Sequence, residues 1–191
     1  MDTIRPALSS DASSILDIYA PFILNTAVSF ETEVPSIESF SQRILTNEES
    51  YPWLVYDSDG FIAGYAYASK HRERAAYQWS VECSVYINDR FQQKGIATKL
   101  YHALFRILQF QGCRNVYAGI TLPNEKSVHF HEKMGFNRIA DYKNIGYKLN
   151  RWNTVRWYEL QLNNFSDAPA PFIKWSDIQS KQREIIMKET G

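Results

Sequence analysis

Apolar residues recur along the chain with two different periods, and together these periods predict a mixed α/β order. Alternating or continuous apolar runs predict strands over 3–8, 53–56, 61–69, 79–87, 115–121, 147–149 and 155–162. Apolar residues spaced three and four apart predict helices after Asp11 and over 36–47, 95–111, 124–134 and 176–187. The polar turn at 57–60 predicts a hairpin, so we expect the front half of the sheet to be mostly antiparallel.

The C-terminal residues differ in composition from the rest. Residues 167–171, Asp-Ala-Pro-Ala-Pro, are typical of a linker, and Ser176 and Gln179 have the spacing of a capping box before a short helix. We therefore predict one domain over 1–162 and a C-terminal extension over 163–191, either docked or frayed, without a catalytic signature.

Residues 81–100, VECSVYINDRFQQKGIATKL, contain a strand, a turn and the start of a helix. A helix N-terminus offers unpaired N–H groups and a positive dipole end, so it can bind an anion. The small residues Gly95 and Ala97 let the backbone approach a phosphate, and Lys94 and Lys99 add charge. The stretch predicts a pyrophosphate site. Its plainer interpretation is an ordinary strand–turn–helix with a glycine at the turn.

Two common nucleotide motifs are absent from the sequence, Gly-x-Gly-x-x-Gly and Gly-x-x-x-x-Gly-Lys-Ser/Thr. A nucleotide-bearing cofactor other than NAD or ATP is therefore favoured for this site.

Composition narrows the function classes further. The 191 residues are 45% hydrophobic and 22% charged, with 21 basic and 21 acidic side chains, so no overall field favours nucleic acid or an anionic membrane. No apolar run reaches transmembrane length and no signal-peptide core is present, which favours a cytoplasmic location. Two cysteines are too few for a disulfide framework, and no Cys/His spacing indicates a metal site.

The motif Gln92-x-x-Gly95-x-Ala97 resembles the acetyl-CoA loop of the GCN5-related N-acetyltransferase (GNAT) superfamily. Within that superfamily, the chain is similar to the phosphinothricin acetyltransferase and methionine sulfoximine acetyltransferase group. The similarity runs in order through residues 4–7, 51–55, 64–68, 77–87, 122–124 and 131–136 to the region around Arg151 and Trp152.

The resemblance implies a GNAT fold, with a single mixed, mostly antiparallel sheet, helices on both faces and splayed central strands. It also implies acetyl-CoA as cosubstrate, no metal, and a homodimer. The cofactor contacts that it implies are Val85, Tyr86, Ile87, Gln92, Gln93, Lys94, Gly95, Ile96, Ala97, Thr98 and Asn124. The first three would act through the main chain, and Asn124 is alternatively a helix cap.

Two residues are predicted to handle protons. Glu82 follows Val81 in a strand with apolar neighbours, which would partly bury it and strengthen it as a base, and the family's catalytic glutamate has the matching position. The alternative is a solvent-facing or arginine-paired glutamate. His131 lies where many members have the tyrosine proposed to protonate the CoA thiolate, although a helix-borne histidine is as readily a structural hydrogen-bonding group. His71, His102 and His129 are interpreted as surface or packing residues.

The acyl acceptor is predicted to contact the loop before this strand and the strand itself. The residues concerned are Arg72, Glu73, Arg74, Glu82, Cys83 and Ser84. An arginine fork can bind a carboxylate or phosphinate through two oxygens, whereas the alternative is a solvated charged loop. Some phosphinothricin-acetylating members carry a histidine shortly before the Trp152 equivalent, where this chain has Leu149, so use of phosphinothricin itself is in doubt.

These observations predict an acetyl-CoA-dependent N-acetyltransferase that acylates the α-amine of a small amino acid or analogue by direct transfer. Two alternatives stay open: a protein or polyamine acetyltransferase, and a non-catalytic acyl-CoA-binding regulator. Arg72 and Arg74 argue against a polyamine, which would need an acidic pocket, and Glu82 argues against the regulator.

Overall fold

The computed structural model describes residues 2–165 and 168–188, in which seven strands form one open sheet. The strands are β1 (Asp2–Pro6), β2 (Trp53–Ser58), β3 (Phe61–Lys70), β4 (Ser80–Ile87), β5 (Asn115–Leu122), β6 (Asn137–Lys148) and β7 (Arg151–Gln161). The helices are α1 (Ala12–Asn25), α2 (Ile37–Glu48), α3 (Ile96–Phe110), α4 (Glu125–Lys133) and α5 (Ser180–Lys188). The strand order is β1-β2-β3-β4-β5-β7-β6, and β4–β5 is the parallel pair of an otherwise antiparallel sheet. The predicted mixed, mostly antiparallel fold is confirmed.

Helices cover both faces of the sheet, because successive strand residues point to opposite sides. In β2, Trp53 and Val55 pack in a core cluster with α1 and α2. Leu54 and Tyr56 belong to a second cluster, which contains α3 and parts of α4 and α5. The apolar face predicted for α3 is buried in that second cluster throughout its length, which fixes the helix against the sheet.

Strand β6 is the largest departure from the predicted elements. The sequence predicts only 147–149 as strand, whereas β6 spans Asn137–Lys148. Most of its side chains are exposed and its register with β7 shifts twice, so the apolar alternation that identifies a strand is missing. Leu149 and Asn150 form the turn after β6 with φ of 53° and 59°, so Leu149 is a turn residue rather than part of a strand.

The C-terminal extension is docked. Trp175, Ile178 and Ile186 are buried in the cluster that contains α3. Arg106 of α3 donates to the carbonyls of Ile186 and Met187 at 2.9 and 2.7 Å. The division of the chain at residue 162 stays a prediction.

The predicted capping box at Ser176 is wrong. The Ser176 hydroxyl donates to the Glu49 carbonyl at 2.9 Å, and residues Trp175–Asp177 form a 3₁₀ turn, so the helix begins only at Ser180. Of the predicted linker 167–171, Asp167 lies outside the described residues.

We expect Trp175→Ala to lower the free energy of unfolding by about 3–5 kcal/mol, because it empties a fully buried indole site. Ile185→Ala, at a side chain that is 51% exposed on α5, is the matched control and should change stability by about 0.5 kcal/mol or less. Urea unfolding of both variants measures the difference. Equal stabilities would show that the extension does not contribute to the core.

Candidate active site

The centre of the sheet divides where β4 and β5 part. They pair at three rungs, Ser80–Asn115, Val81–Val116 and Glu82–Tyr117, and both strands then continue without pairing to each other. Beyond Glu82, alternate N–H and C=O groups on this edge of β4 are available to an extended ligand, which could pair with them as an added strand. The structure therefore has the splayed central strands that the resemblance implies.

The end of β4 still pairs with β3 but no longer pairs with β5. It contains Val85, Tyr86 and Ile87. Their side chains are directed into the two cores: Val85 and Ile87 pack on the α3 cluster, and Tyr86 contacts Tyr19 and Phe22 with ring centroids 5.1 and 5.2 Å apart. Contact with a ligand at this edge would be through the main chain, in the way predicted.

The N-terminus of α3 has an open anion-binding geometry. Gly95 adopts φ 75° immediately before the helix, and the first helical bond runs from Lys99 N to Gly95 O at 3.1 Å. The N–H groups of Ile96, Ala97 and Thr98 precede that bond, and no side chain of the described residues caps them. A Cβ added at Gly95 would meet no protein atom within 4 Å, so the space beside these N–H groups is free for a ligand.

The other predicted cofactor residues before α3 contact different partners. Gln93 has φ 61°, Gln92 donates to Asp89 at 2.7 Å, and the Lys94 ammonium lies 4.6 Å from the Phe91 ring centroid. Lys99 is different, because its ammonium contacts the Tyr56 hydroxyl at 3.5 Å. The side chains of Gln92 and Lys94 thus contact residues of the same loop, whereas Lys99 contacts β2.

Asn124 caps α4, since its Oδ1 accepts from Ser127 N at 3.3 Å. This is the alternative role that the sequence allows. The cap uses only the amide oxygen, and within residues 2–165 and 168–188 no partner is found for the amide nitrogen. The NH₂ group therefore has donor capacity left for a ligand.

Glu82 is half-buried at the last paired rung, and a histidine holds it. The Nδ1 atom of His71 lies 2.9 Å from Glu82 Oε1, and the Arg72 guanidinium lies 3.6 Å from the same oxygen. His71 is not among the predicted site residues, since its sequence context indicates only a surface or packing residue. Eleven positions separate the two side chains, and no local spacing indicates that the loop after β3 returns His71 to β4.

The face of the sheet that carries Glu82 is lined by aromatic rings. Tyr117 pairs with Glu82, Tyr67 pairs with Ser84 across β3 and β4, and Trp157 of β7 pairs with Gly119. Ser84 shares the face of Glu82, because the two residues are two positions apart on one strand. The structure thus brings Ser84, as well as Glu82, to this side.

The three predicted acceptor residues in the loop before β4 have different surroundings. Arg72 is 48% exposed and bonds the His71 carbonyl at 2.8 Å, so it lies beside Glu82. Arg74 is exposed at the start of a 3₁₀ turn. Glu73 is 90% exposed and pairs with Lys70 at 3.0 Å, away from Glu82.

The structure does not bring the Cys83 side chain to this group. Side chains alternate along β4, so the Cys83 thiol lies on the opposite face and donates to the Tyr101 hydroxyl at 3.4 Å. Burial raises the pKa of the Cys83 thiol to about 12, which keeps it protonated and unreactive at neutral pH.

His131 is buried in the α3 cluster with both ring nitrogens engaged. Its Nδ1 lies 2.8 Å from the Ser127 carbonyl, which can only accept, so Nδ1 carries the proton. Nε2 then accepts from the Tyr101 hydroxyl at 3.1 Å. Burial lowers the pKa of His131 below its ordinary value, against a smaller opposite effect of the Ser127 carbonyl. The ring is therefore neutral at pH 7.

We expect the free energy of unfolding to fall as pH decreases below about 6.5, the pKa of an exposed histidine. The reason is that the unfolded chain binds a proton at this position before the folded chain does. His131→Gln cannot titrate, so it should be less stable at pH 8 but show a flatter decline between pH 7 and 5. His129→Gln, exposed on the same helix, is the control. Unfolding curves across this pH range test the expectation, and parallel slopes for His131→Gln and wild type would contradict it.

Comparison with known proteins identifies the family. Residues 4–157 match the acetyltransferase (GNAT) domain model, so the chain belongs to the GNAT acetyltransferases. It is 34% identical to a phosphinothricin N-acetyltransferase of Streptomyces viridochromogenes, over 88% of this chain and 90% of that protein. It is 30% identical to an L-methionine sulfoximine/L-methionine sulfone acetyltransferase of Salmonella typhimurium, over 88% of this chain and 99% of that protein.

A solved structure extends the similarity to three dimensions. The phosphinothricin acetyltransferase of Sinorhizobium meliloti, determined in complex with acetyl-CoA, superimposes with a TM-score of 0.84 at 31% identity, covering 88% of this chain and 93% of that one. Within the described part of the chain, no group of three or more His, Cys, Asp or Glu side chains could hold a metal ion, and no helix is long and apolar enough to cross a membrane.

Proposed function

We propose that this GNAT enzyme transfers the acetyl group of acetyl-CoA to the α-amine of a small amino acid or analogue, of the phosphinothricin, methionine sulfoximine or methionine sulfone type. The observation that carries the proposal is the position of Glu82. Glu82 lies at the last rung before β4 and β5 part. The unpaired edge of β4 begins after this rung, and the chain continues from β4 to the uncapped N-terminus of α3. The similarity to relatives named for these substrates supports the acceptor class.

The shape of the site fits acetyl-CoA. The N–H groups at the start of α3 suit the pyrophosphate, and the free edge of β4 suits the amides of the pantetheine arm. Asn124 would add a donor from α4. An N–H near Val85 or Tyr86 would stabilise the negative charge that develops on the thioester oxygen during attack.

Transfer needs a neutral amine. In the proposed mechanism, an ammonium N–H bond breaks and its proton moves to the Glu82 carboxylate. The nitrogen lone pair then forms the N–C bond while the C–S bond breaks to release the CoA thiolate, and a second N–H bond breaks so that the neutral amide forms and its proton passes through solvent to the thiolate. Of the two roles predicted for His131, acid for this thiolate and structural hydrogen-bonding group, its neutral ring with both nitrogens engaged supports the second.

The acceptor's anionic group would meet Arg72, and Arg74 would add positive potential. Both are exposed, so each interaction is screened by solvent and selects for charge rather than for exact shape. These cations oppose a polyamine. Acetylation of a peptide amine and acyl-CoA binding without turnover are the competing functions that the acceptor experiment below separates.

Self-association is part of the proposal. Strand β6 and the turn into β7 expose large apolar side chains, among them Ile145, Tyr147 and Trp152, the last at 62% exposure. A group of this kind supports a homodimer, because exposed apolar clusters often mark protein contacts. The proposed location is the cytoplasm.

Gly95→Ala should weaken acetyl-CoA binding about tenfold, because a methyl group would occupy the free space beside the α3 N–H groups. The left-handed φ also costs about 1–2 kcal/mol of stability. Gly112→Ala is the matched control, since Gly112 has φ 89°, equally open surroundings, and a position at the far end of α3. It should lose similar stability and keep normal acetyl-CoA binding by calorimetry. Equal affinities for the two variants would contradict the anion site.

A thiol-release assay tests the function itself. The acceptors are phosphinothricin, methionine sulfoximine, methionine sulfone, spermidine and a peptide amine. We expect turnover with the amino-acid analogues and none with the last two. Turnover confined to spermidine or the peptide would replace the acceptor class, and acetyl-CoA binding without any turnover would favour the regulator.

Glu82→Gln should lower kcat by about 10²–10⁴-fold while acetyl-CoA binding stays normal, because the amide keeps the shape of the side chain but cannot take a proton. Glu49→Gln, at an exposed glutamate that follows α2, is the control and should keep wild-type kcat. A Glu82→Gln variant with wild-type kcat would remove Glu82 as the base.

A further inference from the structure

His71 is fixed in one orientation by three aromatic rings. Its imidazole stacks on Tyr117, with centroids 4.4 Å apart and planes at 21°. The rings of Trp157 and Tyr77 pack against the imidazole in T-shaped arrangements. Their centroids lie 6.1 and 6.5 Å from its centroid, with interplanar angles of 76° and 72°. The side chain is 15% exposed. Because three rings already restrict the imidazole, it loses little further conformational entropy when it forms a hydrogen bond. The hydrogen bond of the ring therefore has a defined geometry.

That contact is with Glu82. An ionised carboxylate only accepts hydrogen bonds, so at 2.9 Å the His71 Nδ1 must be the donor. The bond engages Oε1. Among the described residues no hydrogen bond engages Glu82 Oε2, and this second oxygen is the one available to a ligand.

The ring on which His71 stacks belongs to the last paired rung of β4 and β5. Tyr117 is the β5 partner of Glu82, and its hydroxyl accepts from Asn115 Nδ2 at 3.2 Å. The last paired rung therefore sets two positions at once: the backbone of Glu82 and, through the stacked ring of Tyr117, the imidazole that holds the carboxylate.

Arg72 is the competing partner of Glu82. Its nitrogen is 3.6 Å from Oε1, beyond hydrogen-bond distance, and the side chain is about half exposed. It donates instead to the His71 carbonyl at 2.8 Å. Arg72 can thus attract the carboxylate, but it does not set its direction.

We propose that His71 is the positioning residue of the reaction: its Nδ1–H fixes Glu82 Oε1, so that Oε2 faces the acceptor and receives the ammonium proton. The inference rests on the proposed function of Glu82 as the base. His71 keeps its own proton throughout, and the proton that Oε2 receives is the one from the ammonium.

Two variants each preserve half of what His71 provides. His71→Phe keeps a flat ring for stacking on Tyr117 but has no donor. His71→Asn loses the ring but places an amide N–H₂ at the same number of bonds from Cα as Nδ1. We expect His71→Phe to lower kcat about 10- to 100-fold with unchanged KM for acetyl-CoA, because a small misplacement of a reacting group is costly. We expect His71→Asn to recover most of the wild-type kcat.

A spectroscopic measurement tests the hydrogen bond without any acceptor. In ¹⁵N-histidine-labelled wild-type protein the four histidines can be resolved, and the His71 signals are those missing from His71→Phe. We expect the neutral ring to carry its proton on Nδ1. His129→Asn serves as an assignment control from a remote, exposed position.

The outcomes separate this inference from the proposed function. Wild-type kcat in His71→Phe, or no recovery in His71→Asn, would overturn the positioning role while leaving Glu82 as the base. A His71 ring that carries its proton on Nε2 and none on Nδ1 would overturn it even if no acceptor is turned over. Absence of turnover in the wild-type protein with every acceptor, together with an Nδ1-protonated ring, would contradict the proposed function and retain the fixed His71–Glu82 pair.

Discussion

The parting of β4 and β5 after the Glu82–Tyr117 rung is the constraint on which the site depends. Each strand is held mainly by its outer neighbour: β4 pairs with β3 along 81–87, and β5 pairs with β7 along its whole length. The sheet is therefore two antiparallel halves joined by a short parallel seam. Because each strand has an antiparallel partner on its outer side, the seam can remain incomplete, and the backbone groups along the inner edge of β4 stay available to a ligand.

Side-chain alternation along β4 separates two kinds of polar chemistry. On one face, Glu82 meets His71, Arg72 and solvent, where a proton can be exchanged. On the other face, Cys83, Tyr101 and His131 form a sealed chain of hydrogen bonds inside the α3 core. Burial makes the thiol a weak acid and the imidazole a weak base, so this second group remains neutral and contributes packing and hydrogen bonding instead of charge.

The sequence predicts those features whose signal is local. The α3 loop, its glycine and the strand with Glu82 are contiguous, and their spacing is sufficient to predict an open helix N-terminus next to a strand that carries a carboxylate. The two-residue period of the strand also predicts that the Cys83 side chain lies on the face opposite Glu82 and Ser84, as it does in the structure.

Other features have no local signal. The His71–Glu82 contact depends on how the loop after β3 returns to the sheet. Strand β6 is exposed and irregular, so it lacks the apolar alternation by which strands are recognised. The docking of the C-terminal extension relies strongly on side chains of the main domain that donate to backbone carbonyls, as Gln111 does to Ile173 at 2.8 Å. Such bonds leave no trace in the sequence of the segment that accepts them.

The docked extension also has a consequence for synthesis. The apolar groove on α3 that receives Trp175, Ile178 and Ile186 is complete once β7 has been made, but the residues that cover it are synthesised after β7. For that interval the nascent chain carries an uncovered apolar groove. A chain cut after residue 162 would keep all seven strands but would leave this groove open to chaperones or to other chains.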